Sequence, residues 1–195
     1  MRDIDIRRAL RMEMEHLHAG EADDRFVEEL CVCQGVARVD LAVVNGSVHG
    51  YEIKSERDTL TRLSSQSEFY SQALEFVTIA AAPHHLKRIV TETLVPPWWG
   101  IWSATQYGAK VRLEPTRDAQ PNPCLVPLAL AQFLWRDEAL SILVEHSLAG
   151  GMRSKSRRHL WLRLAESFSI DQLGSFVRAR LKERKPDWRD HALPV

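Results

Sequence analysis

Apolar residues recur along this chain with two periods, and the switches between them mark out its elements. Residues 4–18 carry Ile4, Ile6, Ala9, Leu10, Met14 and Leu17 in a helical stripe, with Gly20 as its stop. Arg25 to Val32 predicts a strand and Gln34-Gly35 a turn. Residues 37–44 and 48–54 predict two further strands around Asn45-Gly46, a strong hairpin signal. Thr59 to Leu74 predicts a helix. Phe76 to Ala81 is a continuous apolar run, as a strand buried on both faces would be, and Pro83 ends it. A short helix over Leu86–Leu94 and strands over Trp98–Thr105 and Lys110–Glu114 complete this half. Residues 118–123 read as a linker. Beyond it the spacing is helical throughout. One helix starts near Pro127 and runs through Leu130, Leu134, Leu140, Leu143, Val144 and Leu148 to Gly150-Gly151. Two more are centred on Leu160–Phe168 and Leu173–Leu181. The expectation is an α/β core over 1–120 and an all-helical extension over 121–195.

Composition adds the setting. Apolar and charged fractions are those of a folded soluble protein. Three cysteines without framework spacing suit a reducing compartment, and neither a signal-like leader nor a membrane-length run is present, which predicts a cytoplasmic protein without a membrane partner. Net charge is zero but unevenly spread. From residue 151 onward eleven Lys/Arg face five Asp/Glu, so the tail is about +6 and the remainder about −6. A basic lobe beside an acidic one suits a polyanion partner; a solvated helical surface is the plainer reading.

The charges that matter most lie inside the apolar strands. Arg38 and Asp40 interrupt the first hairpin strand, Glu52 and Lys54 the second. Alternation places Glu52 and Lys54 on one face, opposite Tyr51 and Ile53. A strict two-residue turn would put Asp40 opposite Tyr51, on the wrong face. A three-residue loop, Asn45-Gly46-Ser47, pairs Val44 with Val48, Ala42 with Gly50, Asp40 with Glu52 and Arg38 with Lys54. This register, with a bulge, gathers the charges on one face and opposes the two smallest residues, leaving a groove. Two carboxylates about 5 Å apart repel by roughly 3 kcal/mol at an effective dielectric near 20, so they need a proton or a cation between them. Hard oxygen ligands favour Mg²⁺ or Mn²⁺, and Lys54 could then orient a metal-bound water. A cross-strand salt-bridge cluster of Arg38, Asp40, Glu52 and Lys54 is the competing reading.

Arg38-x-Asp40, then Gly50-Tyr51-Glu52-Ile53-Lys54-Ser55, then Asp58-Thr59-Leu60-x-Arg62-Leu63-x-x-Gln66 and Tyr70, resemble the PD-(D/E)XK nuclease superfamily. The resemblance covers about residues 3–105 and extends loosely to Leu134–Glu138. It implies a restriction-endonuclease-like core of helix, three antiparallel strands, helix and strand. It implies Asp40, Glu52 and the Ile53 carbonyl as metal ligands, Lys54 as the water-positioning residue and Gln66 beside the site, with Tyr70 one turn later. The superfamily's usual proline is Val39 here. An upstream glutamate often joins the site; Glu29 is preferred over Glu28, Glu13 and Glu15, and it could equally pair with Arg38.

Other candidates are weaker. Cys31-x-Cys33 lacks a second pair for zinc and reads as buried structural thiols, and His49 falls on a core face. Trp98, Trp99 and Trp102 read as core edge. The run Arg153-Ser154-Lys155-Ser156-Arg157-Arg158 opens a helix, where the dipole disfavours cations, so bound phosphate would explain it. The sequence therefore predicts a Mg²⁺-dependent nuclease acting on DNA rather than RNA, possible as a homodimer, with Arg38, Arg62, Tyr70, Arg153, Lys155, Arg157 and Arg158 on the nucleic acid. A catalytically inactive nucleic-acid-binding module, or a nuclease effector held by a partner, are the alternatives.

Overall fold

A computed structural model describes residues 1–19 and 23–185. Helix α1 (Asp3–Leu17) is followed by strands β1 (Arg25–Val32), β2 (Ala37–Val44) and β3 (Val48–Lys54), helix α2 (Leu63–Ala73), strand β4 (Phe76–Ala81) and helix α3 (Pro83–Thr91). Strands β5 (Gly100–Tyr107) and β6 (Lys110–Arg117) precede helices α4 (Pro127–Ala131), α5 (Arg136–Glu145), α6 (Arg157–Ser167) and α7 (Ile170–Glu183). The six strands form one mixed sheet in the order of the chain. β1, β2 and β3 are antiparallel neighbours, β4 and β5 join in parallel through the α2 and α3 crossovers, and β6 returns antiparallel.

Both faces of the sheet are covered, as parallel β4 between two apolar layers requires. On one face α1 buries Ile6, Leu10 and Met14 against Leu41, Val43, Tyr51 and Ile53. Ile4 and Leu17, predicted in the same stripe, stay exposed because Ile6, Leu10 and Met14 at four-residue spacing already fill the contact. The predicted Gly20 stop lies outside the described residues. On the other face α2 and the C-terminal helices share one core with the sheet, running from Val27 through Ile79 to Leu130, Trp161 and Leu181.

Several boundaries differ from the sequence reading. α2 begins at Leu63 rather than Thr59, because residues 55–62 form turns anchored by Asp58, whose Oδ2 accepts from the Ser55 N–H (2.7 Å) and hydroxyl (2.6 Å). α3 starts at Pro83 itself, which suits a first helical position. The expected long helix from Pro127 is two helices, since residues 132–135 turn between them. The 118–123 segment is stitched to the core: the buried Asn122 amide donates to the Ser71 and Leu74 carbonyls at 2.7 and 2.8 Å.

The hairpin follows the predicted register from Val44–Val48 to Leu41–Tyr51, with Asn45-Gly46-Ser47 as its loop. The ladder ends there, so the expected Asp40–Glu52 and Arg38–Lys54 backbone pairs do not form. The groove expected beside Ala42 and Gly50 is filled. A Cβ at Gly50 would lie 2.6 Å from Leu74 Cδ1 and 3.1 Å from Val39 Cγ2. Glycine is there because Leu74 occupies the space.

β1 and β2 share an irregularity that no pattern rule anticipated. Val27, Ala42 and Val44 face the α2 side, and so do Leu30, Val32, Ala37 and Val39, although alternation would send one set the other way. Both strands therefore change phase between these sets, while their mutual register stays constant. Glu29 marks the change in β1 with φ 55°, and Asp40 lies across from it in β2.

His49 sits on the α1 face as expected, stacked on Tyr51 at 4.3 Å and bonded through Nε2 to Thr78 Oγ1 (2.9 Å) and Nδ1 to the Tyr51 hydroxyl (3.2 Å). Burial, aided by the neighbouring His18, depresses its pKa to about 3. The unfolded chain then binds a proton that the folded one refuses between about pH 6.5 and 3. Stability should be full above this window and fall as pH drops through it, by roughly 2 kcal/mol at pH 4, since a half-buried ring feels less than the full shift. Urea unfolding from pH 7 to 4 checks this; His49→Gln should flatten the slope.

Candidate functional site

Asp40 is placed by the phase change. Its Oδ2 accepts from the Ile53 N–H at 2.7 Å, so the side chain fills the ladder position that the backbone leaves empty. Arg7, on α1, donates to the Asp40 carbonyl (2.8 Å) and to Oδ1 (2.9 Å). The same guanidinium meets Glu29 at 2.9 Å and Asp3 at 3.3 Å. Arg7 is the residue that sequence reasoning missed. Its signal was the Asp3, Arg7, Arg11, Glu15 series at four-residue spacing on one helix face, a polar stripe beside the apolar one.

Glu52 and Lys54 point to α2. Both are buried, and Lys54 Nζ donates to Glu52 Oε1 at 2.6 Å. Gln66 completes the triangle, its amide nitrogen donating to Glu52 Oε1 (2.8 Å) and its oxygen accepting from Lys54 (3.0 Å). The Tyr70 hydroxyl lies 2.7 Å from Glu52 Oε2 and 2.6 Å from the Arg38 carbonyl. Tyr70 is fully buried, so the expectation that it touches nucleic acid is corrected: its polar end serves the interior. Burial and the charge on Glu52 both raise its pKa, keeping the phenol protonated.

The two carboxylates feel each other. Asp40 has its pKa pushed up to about 7, first by burial and then by the Glu52 charge, against the pull of the Ile53 N–H and Arg7. Arg7 and Lys54 already lie against the two carboxylates and offset part of this repulsion. Asp40, Glu52, Lys54, Gln66, Arg62 and the Glu29–Arg38 pair line one open cleft of about 500 Å³ at the end of the sheet. Glu29 itself bridges Arg7 and Arg38. Among the described residues, no group of three or more His, Cys, Asp or Glu side chains is placed to hold a metal ion. Two carboxylates with spare lone pairs and the Ile53 carbonyl are what the site offers a hard cation.

The remaining candidates lie elsewhere. Arg157 and Arg158 open α6, and Arg153 and Lys155 sit in the preceding turn, with the Arg153 and Lys155 carbonyls accepting from Arg136. Of these four cations only Arg157 approaches the cleft region, through an adjoining cavity that also contains Arg38. Trp98 and Trp99 are buried, and Trp99 stacks on Tyr70 at 6.0 Å. Cys31 and Cys124 are exposed and Cys33 half-buried, all three free, which corrects the expectation of buried thiols. Among the described residues, no helix is long and apolar enough to cross a membrane.

Fold and site together define a mixed α/β protein with a charged cleft at one end of its sheet. The chain belongs to the bacteriophage P4 protein cII family: the family model described as "Bacteriophage P4 protein cII" matches residues 9–191. It is 26% identical over 167 residues to Protein cII of Enterobacteria phage P4, covering 84% of this chain and 60% of that protein. The chain thus spans less than two thirds of this curated relative. No solved structure matches.

This membership corrects the sequence reading. The chain is assigned to the protein cII family and not to the PD-(D/E)XK nucleases, so the expected nuclease, its Mg²⁺-dependent phosphodiesterase activity and the partner-held nuclease effector are withdrawn. The catalytic roles given to Asp40, Glu52, Lys54 and Gln66 go with them. The physical reason is visible in the site. An Asp, a hairpin and Glu-x-Lys also describe carboxylates held by protein donors, and here Glu52 has Lys54, Gln66 and Tyr70, while Asp40 has Arg7 and the Ile53 N–H.

A buried ion pair of this kind is sensitive to losing one partner. Lys54→Met should lower stability by about 3 kcal/mol, because Glu52 keeps a buried charge without its ammonium, while Lys54→Met with Glu52→Gln should recover most of it. Urea titration of the two variants tests this; equal losses would refute it.

Proposed function

We propose that this protein binds nucleic acid, DNA before RNA, and holds it without cutting it. The observation that carries this is the run Arg153, Lys155, Arg157 and Arg158. None of the four forms an ion pair among the described residues, and they stand at and before the N-terminus of α6. The helix dipole makes that a poor place for cations, and the first turn of α6 carries no carboxylate to relieve it. Phosphate oxygens would. Arg62 lines the cleft, and Arg38, paired with Glu29, lines both the cleft and the cavity that Arg157 borders.

The order α1, three antiparallel strands, α2 and a parallel β4 supports reading the scaffold as a restriction-endonuclease-like core. That is a reading of the backbone and carries no chemistry with it. Within it, Asp40, Glu52 and the Ile53 carbonyl are the groups that would hold Mg²⁺ or Mn²⁺. Bound there, the cation would neutralise the carboxylate pair and add positive charge to the cleft. Mg²⁺ in excess should then raise the melting temperature of the wild type and not of Asp40→Asn. Identical melting of the wild type with Mg²⁺ and with EDTA would exclude the cation.

Binding itself is tested by salt dependence. Duplex DNA affinity measured from 50 to 200 mM salt should fall steeply. Replacing Arg153, Lys155, Arg157 and Arg158 together by Gln should reduce the magnitude of the log–log slope by about 3 to 4, near 0.9 for each phosphate no longer neutralised. An unchanged slope would remove the basic run from the interface, and intact DNA after prolonged incubation with Mg²⁺ is the expected outcome in every sample.

A further inference from the structure

A second cavity, of about 350 Å³, opens beside the charged cleft, between the β1–β2 connection, the turn joining α4 to α5, and the start of α6. Its size lies within the range of small-ligand sites, about 300–1,000 Å³. Its walls are aromatic: Phe133 and Trp161 are buried and Trp135 is half-buried. The Trp161 indole N–H is already committed, donating to the Leu134 carbonyl at 2.9 Å, and the nearly buried ring backs the cavity wall with carbon.

Two guanidiniums lie over these indoles and differ in how they are held. Arg184 covers Trp135 at 4.2 Å, but its Nε and a terminal nitrogen donate to Glu138 and to the Phe133 carbonyl, so it is part of the wall. Arg157 covers Trp161 at 4.7 Å and is half-buried, with no ion pair among the described residues. Its side chain lines the cavity, and among the described residues no carboxylate pairs with it. Stacking on the indole fixes its plane without using its N–H donors.

The opposite wall is strained. Cys33, Gln34 and Gly35 form a short 3-10 turn with φ values of 51°, 60° and 85°, three consecutive residues in the left-handed region. Only the last is a glycine. Left-handed conformations in non-glycine residues persist where the surroundings impose them, and they cluster at ligand sites. Here the turn holds the exposed Gln34 against the cavity, with an amide able to donate and accept.

An aromatic slot, with a guanidinium and an amide that have no ion-pair or hydrogen-bond partner among the described residues, suits a flat, polar-edged ring carrying an anion. We infer that this cavity receives one unpaired nucleotide, its base within the aromatic walls and near Gln34, its phosphate on Arg157. The inference rests on the nucleic-acid reading above and deepens it: the basic run would grip the strand, and the cavity would take a base that has left the stack. A base offers its π-face to such walls whatever its identity, so selectivity would come from the Gln34 edge contact.

The test uses the full chain and three probes: a duplex, the same duplex with one unpaired base, and deoxynucleoside monophosphates. The unpaired-base duplex should bind at least ten-fold more tightly than the perfect one. Arg157→Ala and Gln34→Gly should each remove most of that preference. Gln34→Gly should do so while keeping or raising the melting temperature, because glycine relieves φ 60° there. Monophosphates that bind in an Arg157-dependent way, without any preference between duplexes, would keep the ring-and-phosphate chemistry and make the ligand a free nucleotide. Equal binding of both duplexes with no monophosphate binding would overturn the cavity's role and leave the DNA reading standing. No binding of any probe would overturn both.

Discussion

One buried carboxylate, Glu52, decides how the layers of this protein sit together. It is only 2% exposed, and its donors come from β3 through Lys54 and from α2 through Gln66 and Tyr70. Tyr70 also lies against the Arg38 carbonyl, so the same cluster ties down the start of β2. An apolar side chain at position 52 would pack against α2 in several nearly equal ways. A carboxylate with directional donors permits one. The cluster therefore contributes less to net stability than to the uniqueness of the α2–sheet alignment, the use for which buried polar groups are best suited.

The same alignment produces the two cavities. With α2 fixed over β3, the sheet's end stays open as the charged cleft. The C-terminal helices close over the other part of that edge and leave the aromatic cavity. Arg38 and Glu29 line both, so their ion pair forms part of the partition between them. A group reaching into one space would therefore meet the wall of the other.

Much of the scaffold was legible in the chain. Strands β1 to β4 were read from periodicity to their actual ends, because apolar alternation and the Asn-Gly turn are local signals. That Glu52 and Lys54 share a face was also legible, from alternation in β3, whereas Gln66 was placed beside them only by the resemblance to the nuclease superfamily. What escaped was non-local. Arg7 reaches Asp40 from 33 residues away, and the polar stripe it belongs to on α1 does not say which strand it meets. The phase change at Glu29 and Asp40 cannot be seen by a rule that assumes unbroken alternation. Leu74 filled a groove that two small residues had suggested. Function was misread for a related reason. Acids and a lysine at this spacing form a site or a strut with equal ease, and membership of the protein cII family, not geometry, removed the enzymatic reading.

The coincident phase change in β1 and β2 has a consequence for how this sheet can vary. Because both strands invert at the same rung, the residues before and after it form two independently phased halves joined at Glu29 and Asp40. A single-residue insertion or deletion in either strand alone would break the constant pairing between them, whereas matched changes at that rung would keep it. Among relatives, length differences here should therefore come in pairs, one in each strand, so that the sheet edge changes as a coupled unit while the cavity beside it changes shape.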